Sequence, residues 1–273
     1  MDELAAAYEL DRRVVLRGAQ ELVPAPCAWV VRHRGLIDVH GLNAVRLAAP
    51  LPHDFSADEL EAIVDRCLDG LPHRHVVLDD GDAGERLTDA LTERGWERHR
   101  TLWMAFRADP RQAIRDPRAR EISDDELRDL QRAALTEENH GPYASPGLPA
   151  QLVDAQALLR AGTTARGFGA GQSGALASMA TLFLDPDVDG LPAAMIEQVA
   201  TLRAHRQQGL ARAVVSAALR AAGEWGAGLI VVPVDADDWP QLLYAGLGFA
   251  PIGHQWAFTL RQRAPGGSGL AAQ

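Results

Sequence analysis

The sequence predicts a mixed α/β (α+β) fold from three observations. Short apolar runs rich in β-branched residues, such as residues 75–78 and 229–234, have the length and composition of buried strands. Segments that begin with a serine followed three residues later by a glutamate are typical of helix starts. The hydrophobic content of 47% and charged content of 23% are ordinary for a globular chain. Because strand-like and helix-like segments alternate, the chain is expected to form a sheet flanked by helices.

The first region, residues 1–108, is predicted to form a domain of its own. Apolar runs at 28–31, 42–47, 75–78 and 101–106 predict strands. Ser56 and Glu59 form a capping-box pattern that predicts the start of a helix. A second helix is expected over 83–94, and Gly95 is a typical helix stop.

Residues 107–120 carry two prolines and many charges, which predicts a linker between two domains. The second domain is expected over residues 118–262, and the tail 263–273 is expected to be disordered. The second domain is predicted to begin with a helix that starts at another capping box, Ser123 with Glu126. Its predicted elements are helices to 138 and near 151–159, strands at 164–168, 175–184 and 193–202, a hairpin turn at 185–187, a long helix to 225, a strand at 229–234, and a short helix at 241–247.

Charge and cysteine content exclude several classes of protein. The formal net charge of −10 argues against nucleic-acid binding, which needs a basic surface. No apolar run approaches the roughly 18 residues of a membrane span, and the N-terminus lacks the apolar core of a signal peptide. Cys27 and Cys67 are too few for a disulfide framework and lack metal-ligand spacing. We therefore expect a cytoplasmic protein with no membrane partner and no metal site.

The segment RQQGLA, residues 206–211, joins a predicted strand to the long helix. Backbone N–H groups at a helix N-terminus are unpaired within the helix and lie at the positive end of its dipole, so they bind phosphate well. Gly209 and Ala211 allow a ligand to approach the backbone, and Arg206 adds positive charge. The segment can therefore hold a pyrophosphate. The alternative is a plain strand–turn–helix connection with solvated polar residues.

This segment resembles the Arg/Gln-x-x-Gly-x-Gly/Ala signature of the GNAT N-acetyltransferase superfamily. Residues 196–201, IEQVAT, are similar to the strand that precedes the signature, and residues 243–249, LYAGLGF, are similar to the family's L-Y-x-x-x-G-F segment. The resemblance covers about residues 121–260. It implies a mixed, mostly antiparallel sheet and acetyl-CoA as co-substrate. It also implies a pyrophosphate contact by Arg206, Gln207, Gln208, Gly209, Leu210, Ala211 and Arg212, and a pantetheine contact by Val199, Ala200 and Thr201.

Acetyl transfer to an amine needs a base, a polarised carbonyl and a proton for the leaving thiolate. Tyr244 matches the family tyrosine near the thioester sulfur, and its phenol can supply that proton; the alternative is a packed aromatic. Glu197 is the candidate general base, because alternation along a strand places it on one face with Val199 and Thr201; the alternative is a solvent-facing residue. The Val199 N–H is the candidate oxyanion donor.

The residues that bind the acceptor are less defined. Asp237 stands where the family often has asparagine, and it is expected to cap the short helix. Glu138, His140 and Tyr143 lie where the resemblance implies acceptor binding, although a surface or capping role is the alternative for each.

Residues 76–96 parallel residues 231–249, since both contain a β-branched strand, a helix and a Gly-Trp or Gly-Phe ending. The first region therefore resembles a degenerate second copy of the fold that does not bind CoA; the alternative is an unrelated α/β domain. The overall expectation is transfer of an acetyl group from acetyl-CoA to a primary amine of a small molecule or peptide. An acyl-CoA-binding sensor without turnover is the alternative, an interaction scaffold is a third possibility, and a homodimer is left open.

Overall fold

A computed structural model describes residues 2–25, 28–139, 146–172 and 174–261. The predicted disordered tail, Cys27, His140 and Tyr143 lie outside these residues. Within them, no helix is long and apolar enough to cross a membrane. The elements, in chain order, are α1 Glu3–Gly18, β1 Glu21–Ala25, β2 Ala28–Arg32, β3 Ala44–Leu47, α2 Ala57–Cys67, β4 His73–Leu78, α3 Gly81–Glu93, β5 Glu97–Phe106, β6 Ala119–Ile122, α4 Asp124–Glu138, α5 Leu148–Ala161, β7 Thr164–Gln172, β8 Ala175–Val188, β9 Leu191–Thr201, α6 Leu210–Trp225, β10 Leu229–Asp235, α7 Pro240–Ala245 and β11 Phe249–Arg261.

The chain forms two compact units whose boundaries differ from the predicted ones. The first unit contains residues 2–19 and 100–254, and the second contains residues 20–99 and 255–261. The predicted division into 1–108 and 118–262 followed chain order. It therefore placed α1 and most of β5 with the wrong unit, and it placed the end of β11 with the wrong unit as well.

The sheet of the first unit has the order β5-β10-β9-β8-β7-β6. Its β10/β9 pair is parallel and the other pairs are antiparallel, so the predicted mixed, mostly antiparallel sheet is confirmed. Helix α6 covers one face through buried residues such as Val214 and Ala218, which pack with Leu182 and Ile196. Helix α1 covers the other face, where Leu10 packs among side chains that include Phe183 and Met195.

The sheet of the second unit has the order β1-β2-β3-β4-β11. Its β3/β4 pair is parallel, and the other pairs are antiparallel. Leu60 and Val64 of α2 pack with Leu87 and Leu91 of α3 against this sheet. Both units therefore contain a strand–helix–strand segment with a parallel pair, followed by a second helix, which is the internal similarity that the sequence indicated.

Each unit takes its closing strand from the other half of the chain. In the first unit, residues 101–105 of β5 pair with β10, and Leu102 and Met104 enter the same apolar cluster as α6. In the second unit, residues 256–261 of β11 pair with β4, and Trp256 and Phe258 enter the cluster of α2 and α3. The apolar pattern of a strand identifies it as a strand but does not identify its partner, so the exchange was not predicted.

The predicted linker is packed structure in its central part. Residues 110–112 form a turn of 3₁₀ helix against α6. A Cβ on Gly223 would lie only 2.8 Å from the Pro110 ring, and Arg111 Nε donates to the Gly223 carbonyl at 3.2 Å. Arg220 of α6 donates to the Ile114 carbonyl at 2.6 Å. The linker prediction was wrong because its prolines and charges contact a neighbouring helix.

The predicted hairpin turn is displaced along the chain. Strand β8 continues through residues 185–187 to Val188, and the turn consists of Asp189 and Gly190. Both turn residues have positive φ, 53° and 83°. Consecutive left-handed residues favour a tight turn that matches the twist of the two strands, and Asp-Gly suits that conformation.

Candidate active site

The segment between β9 and α6 forms a concave backbone surface, here called the cradle and defined as residues 206–210. Gln207 and Gly209 have positive φ, 63° and 77°, whereas the other residues of the cradle have negative φ. Such alternation turns successive N–H groups towards one side and makes an anion-binding concavity. Gly209 is the N-cap of α6, without a side-chain cap, and Leu210 is buried and anchors the first turn in the core. The helix N-terminus that the sequence predicted here is therefore present, with a left-handed glycine as its N-cap, and phosphate binding stays a prediction.

A residue outside the signature lies beside the cradle. Arg118 Nη1 donates to the Gln208 carbonyl at 2.9 Å, and its Nη2 lies 3.6 Å from where a Cβ on Gly209 would be. Asp116 fixes the guanidinium at 2.7 Å, and these hydrogen bonds hold the pKa of Asp116 below its ordinary value. Arg118 was not predicted as a site residue, because the prolines and charges around it indicate a linker. No local pattern shows that its side chain reaches a loop 90 residues away.

The side chain of Arg206 points elsewhere. Its Nε donates to the Thr201 carbonyl at 3.0 Å, and its Nη2 is 2.8 Å from Glu138 Oε1 at the end of α4. Glu138, a candidate acceptor residue, is thereby joined to the signature. Both side chains are about half exposed, so the pair contributes little to stability. In this arrangement, the guanidinium beside the cradle is that of Arg118.

A groove of about 420 Å³ begins near the cradle. It adjoins the cradle through Arg118 and Gln172, since Gln172 Nε2 donates to Gln208 Oε1 at 3.1 Å. Its wall also includes Arg120 and the backbone of Gly171 and Gly174. The groove therefore continues the cationic surface of the cradle past the end of β7.

Strands β9 and β10 pair over only a short length. Their parallel ladder extends from the Leu229–Ala193 pair to the Val231–Met195 pair, although β9 continues to Thr201 and β10 to Asp235. Within the described residues, the edge of β9 from 196 onward therefore does not pair with β10. An extended ligand can pair with such an edge as an added strand.

A β-bulge interrupts β9 within this edge. Thr181 of β8 is opposite Glu197 and Met179 is opposite Ala200, so Gln198 and Val199 together face one residue of β8. Gln198 has a φ of 56°. The bulge changes which residues share a face, because one extra residue shifts the alternation by one position.

The bulge corrects the predicted placement of Glu197. Val199 packs against the α6 cluster, and the Thr201 hydroxyl lies 2.9 Å from that of Ser178 on the same side. Glu197 is opposite Thr181, whose side chain points to the α4 side. Glu197 therefore lies on the face opposite Val199 and Thr201. Simple alternation predicted a shared face and was wrong here.

Tyr244, the predicted proton donor, is part of the buried core of the first unit. It is on α7, is 5% exposed, and belongs to the apolar cluster that includes Leu210 and contacts Val199. Its ring packs edge-on against Phe249, with centroids 5.7 Å apart. Burial raises the pKa of Tyr244 above its ordinary value of 10, so the phenol is protonated at neutral pH. Val199, Leu210 and Tyr244 thus belong to the apolar layer on the α6 side of the sheet, and Glu197 lies on the other face.

Asp237 does not cap α7 as expected. The helix begins at Pro240 with Trp239 as N-cap. The Asp237 carboxylate instead lies 2.9 Å from Arg100 Nη2, and its N–H donates to Asp235 Oδ1 at 2.8 Å. The predicted N-cap was two residues too early, because Pro240 supplies the first helical position and leaves Asp237 in the preceding turn, whereas the predicted helix start at 241 was within one residue.

Comparison with known proteins places this geometry in a family. The sequence model described as "Acetyltransferase (GNAT) family" matches residues 125–249, which include the bulge, the cradle and Tyr244. The sequence has no significant match among curated proteins.

Three solved structures share the fold over most of both chains. A GCN5-related N-acetyltransferase from Kribbella flavida has a TM-score of 0.60 at 21% identity, covering 96% of each chain. A functionally unknown conserved protein from Staphylococcus epidermidis has a TM-score of 0.68 at 10% identity, covering 89% of this chain and 94% of that one. A tandem GNAT protein from the clavulanic acid biosynthesis pathway has a TM-score of 0.54 at 16% identity, covering 91% and 87%.

These likenesses concern the fold, and they extend the tandem arrangement to the whole chain. The family assignment rests on the matched segment and on the signature residues that form the cradle. Residues 125–249 belong to the GNAT acetyltransferase family, within a chain of tandem GNAT fold.

Proposed function

We propose that this protein is an N-acetyltransferase that moves an acetyl group from acetyl-CoA to a primary amine of a small molecule or a peptide. The observation that carries the proposal is the cradle beside the end of β9, residues 199–201, which among the described residues extends beyond the ladder with β10. Among the described residues other than its two chain neighbours, one heavy atom lies within 4 Å of a Cβ built on Gly209, namely Arg118 Nη2 at 3.6 Å. The backbone there is open to a phosphate, and a cation already flanks it.

The chain's residues can be given roles along this surface. The N–H groups of residues 207–212 and the Arg118 guanidinium would bind the pyrophosphate. The edge of β9 at Val199, Ala200 and Thr201 would hold the pantetheine arm as an added strand. When bound, acetyl-CoA supplies the acetyl group as a thioester next to Val199 and Tyr244.

Two proton transfers and one oxyanion contact remain for the protein. The protonated phenol of Tyr244 can give its proton to the departing sulfur. The Val199 N–H can donate to the carbonyl oxygen as negative charge develops there. Glu197 is proposed to accept the amine proton through a bridging water, because its side chain leaves β9 on the face opposite Val199.

The direct test compares two glycines at the ends of the same helix. Gly209→Glu places a carboxylate in the cradle, whereas Gly226→Glu places one at the C-terminal end of α6. Both glycines have left-handed φ, 77° and 97°, and a Cβ at either would meet no contact shorter than 3.6 Å, so the backbone strain is similar. We expect calorimetry to show acetyl-CoA binding by the wild type and by Gly226→Glu, weakened about 100-fold or more in Gly209→Glu, since two like charges about 4 Å apart repel by about 4 kcal/mol at an effective dielectric of 20.

Equal affinities for the two variants would remove the cradle from the proposal. Binding of acetyl-CoA without thiol release, over a screen of small amines and peptide N-termini, would instead favour the acyl-CoA sensor. If the wild type does not bind acetyl-CoA, the interaction scaffold would become the favoured interpretation.

A further inference from the structure

Gln198 adopts a conformation that its own side chain does not favour. Its φ of 56° lies in the left-handed region in the middle of a strand, where an L-residue other than glycine is strained. A glycine would remove that strain, yet the chain carries a glutamine. The side chain must therefore provide something that glycine cannot.

The Gln198 side chain is held by two buried donors. Its Oε1 accepts from Thr181 Oγ1 at 2.8 Å and from Gln131 Nε2 at 2.8 Å. Thr181 on β8 and Gln131 on α4 are both fully buried. If the acceptor is removed, two donors lose their partner away from water, which costs more than a single hydrogen bond contributes.

Gln131 is itself fixed from the far side. Its Oε1 accepts from Arg160 Nη1 of α5 at 3.2 Å, and Arg160 Nε is 2.7 Å from Asp124 Oδ1 at the start of α4. Arg160 is 8% exposed. The amide of Gln198 is thus joined to a chain of side chains that crosses α4 and α5, and none of them faces the side of the sheet where Val199 packs.

The backbone of Gln198 sets the orientation of the next peptide group. Its ψ angle orients the plane that carries the Val199 N–H. Val199 packs against the cluster that contains Tyr244. The bonds from Thr181 and Gln131 therefore hold the backbone conformation of Gln198 that sets the direction of the Val199 N–H.

We propose that Gln198, held by Thr181 and Gln131, is a positioning residue that orients the Val199 N–H towards the acetyl carbonyl. This inference rests on the proposed function. It assigns the bulge a role in recognising the acetyl group rather than the phosphates. Loss of the two hydrogen bonds to Gln198 Oε1, here called the lock, should then lower the preference for acetyl-CoA over CoA and leave CoA affinity unchanged.

The experiment measures the affinities of acetyl-CoA and CoA by calorimetry in the intact chain. Gln198→Met removes the acceptor at similar volume, and Gln198→Gly removes it while favouring the left-handed backbone. Gln198→Glu retains an oxygen that accepts both bonds and serves as the rescue. Thr181→Val removes one donor from outside β9, and it decides the question if Gln198→Met fails to fold.

We expect wild type and Gln198→Glu to prefer acetyl-CoA. In Gln198→Met and Gln198→Gly that preference should fall about 5- to 10-fold, the size of one hydrogen bond, with CoA affinity within about twofold of wild type. Thr181→Val should show a smaller loss. Hydrogen exchange of residues 197–201 should rise in the same variants that lose the preference.

Three outcomes would overturn the inference. If the wild type binds both ligands and the variants keep its preference, the lock has no positioning role and the proposed function is untouched. If the wild type binds both ligands equally, the acetyl contact at Val199 is wrong. If the wild type binds neither, the proposed function fails and this inference fails with it.

Discussion

Replacing Arg118 with glutamine tests whether a residue outside the family signature contributes to phosphate binding. The guanidinium lies 3.6 Å from the Cβ position of Gly209, so a phosphate seated on the cradle would be about 5 Å away. Two unit charges at about 5 Å attract by about 1 kcal/mol in water and about 3 kcal/mol at an effective dielectric of 20. Arg118 is about one-third exposed and paired with Asp116, so we expect the lower half of that range.

The expected result is a 5- to 30-fold loss of acetyl-CoA affinity in Arg118→Gln, corresponding to about 1–2 kcal/mol. Calorimetry at 50 and 300 mM salt measures it. The loss should be smaller at high salt, because the Debye length falls from about 14 to about 6 Å. Arg132→Gln is the matched control, since that arginine is exposed on α4 and paired with Asp129 at 3.0 Å.

The same affinity in Arg118→Gln and Arg132→Gln would refute the reasoning. Arg118 would then only brace the loop through the Gln208 carbonyl. A loss that does not change with salt would point to the same structural role, because a lost loop contact is not screened as a lost charge is.

Three further predictions follow from other parts of the chain. Tyr244→Phe keeps the packing against Phe249 but removes the phenol proton, so kcat should fall about 100-fold with acetyl-CoA affinity unchanged; an unchanged rate of thiol release would remove the role. Burial and the neighbouring His73 lower the pKa of His40 from 6.5 to about 4. The unfolded chain therefore binds the proton more tightly, and stability present above pH 6.5 should fall by about 2 kcal/mol towards pH 4 after allowance for the partial exposure of the ring, as urea unfolding would show; His40→Gln should make the decline smaller. A fragment of residues 118–262 lacks α1 and β5, so we expect no cooperative thermal transition, whereas a folded fragment would contradict the unit boundaries.

Local signals predicted the starts of two helices and the turn before α6. The capping boxes at Ser56 and Ser123 are both present, each with reciprocal bonds to a glutamate three residues later. Gly209 has the left-handed conformation that a phosphate-binding turn needs. These features depend on residues close in sequence, where propensity and hydrogen-bonding chemistry act without help from the rest of the fold.

The bulge could have been suspected but not described. Glu197 and Gln198 are two adjacent polar residues between apolar Ile196 and Val199, which breaks the alternation of a half-buried strand. That break signals an irregularity. It does not show that Gln131, 67 positions earlier, holds the amide. The face of Glu197 depends on that detail, so period-two reasoning failed at the predicted general base.

The exchanged strands explain why the domain division failed while the fold class was correct. β5 and β11 each follow a helix and a left-handed glycine, Gly95 and Gly248, and each has the composition of a closing strand. Either would satisfy the hydrogen bonds of an edge such as that of β10. In the structure, β10 pairs with β5 rather than with the strand that follows α7. One side of β10 therefore pairs with β5, whose residues come far earlier in the chain. On the other side of β10, the ladder with β9 ends after three residue pairs. The signature lies wholly in residues 125–249, but the sheet that holds it requires residues 100–106 as well.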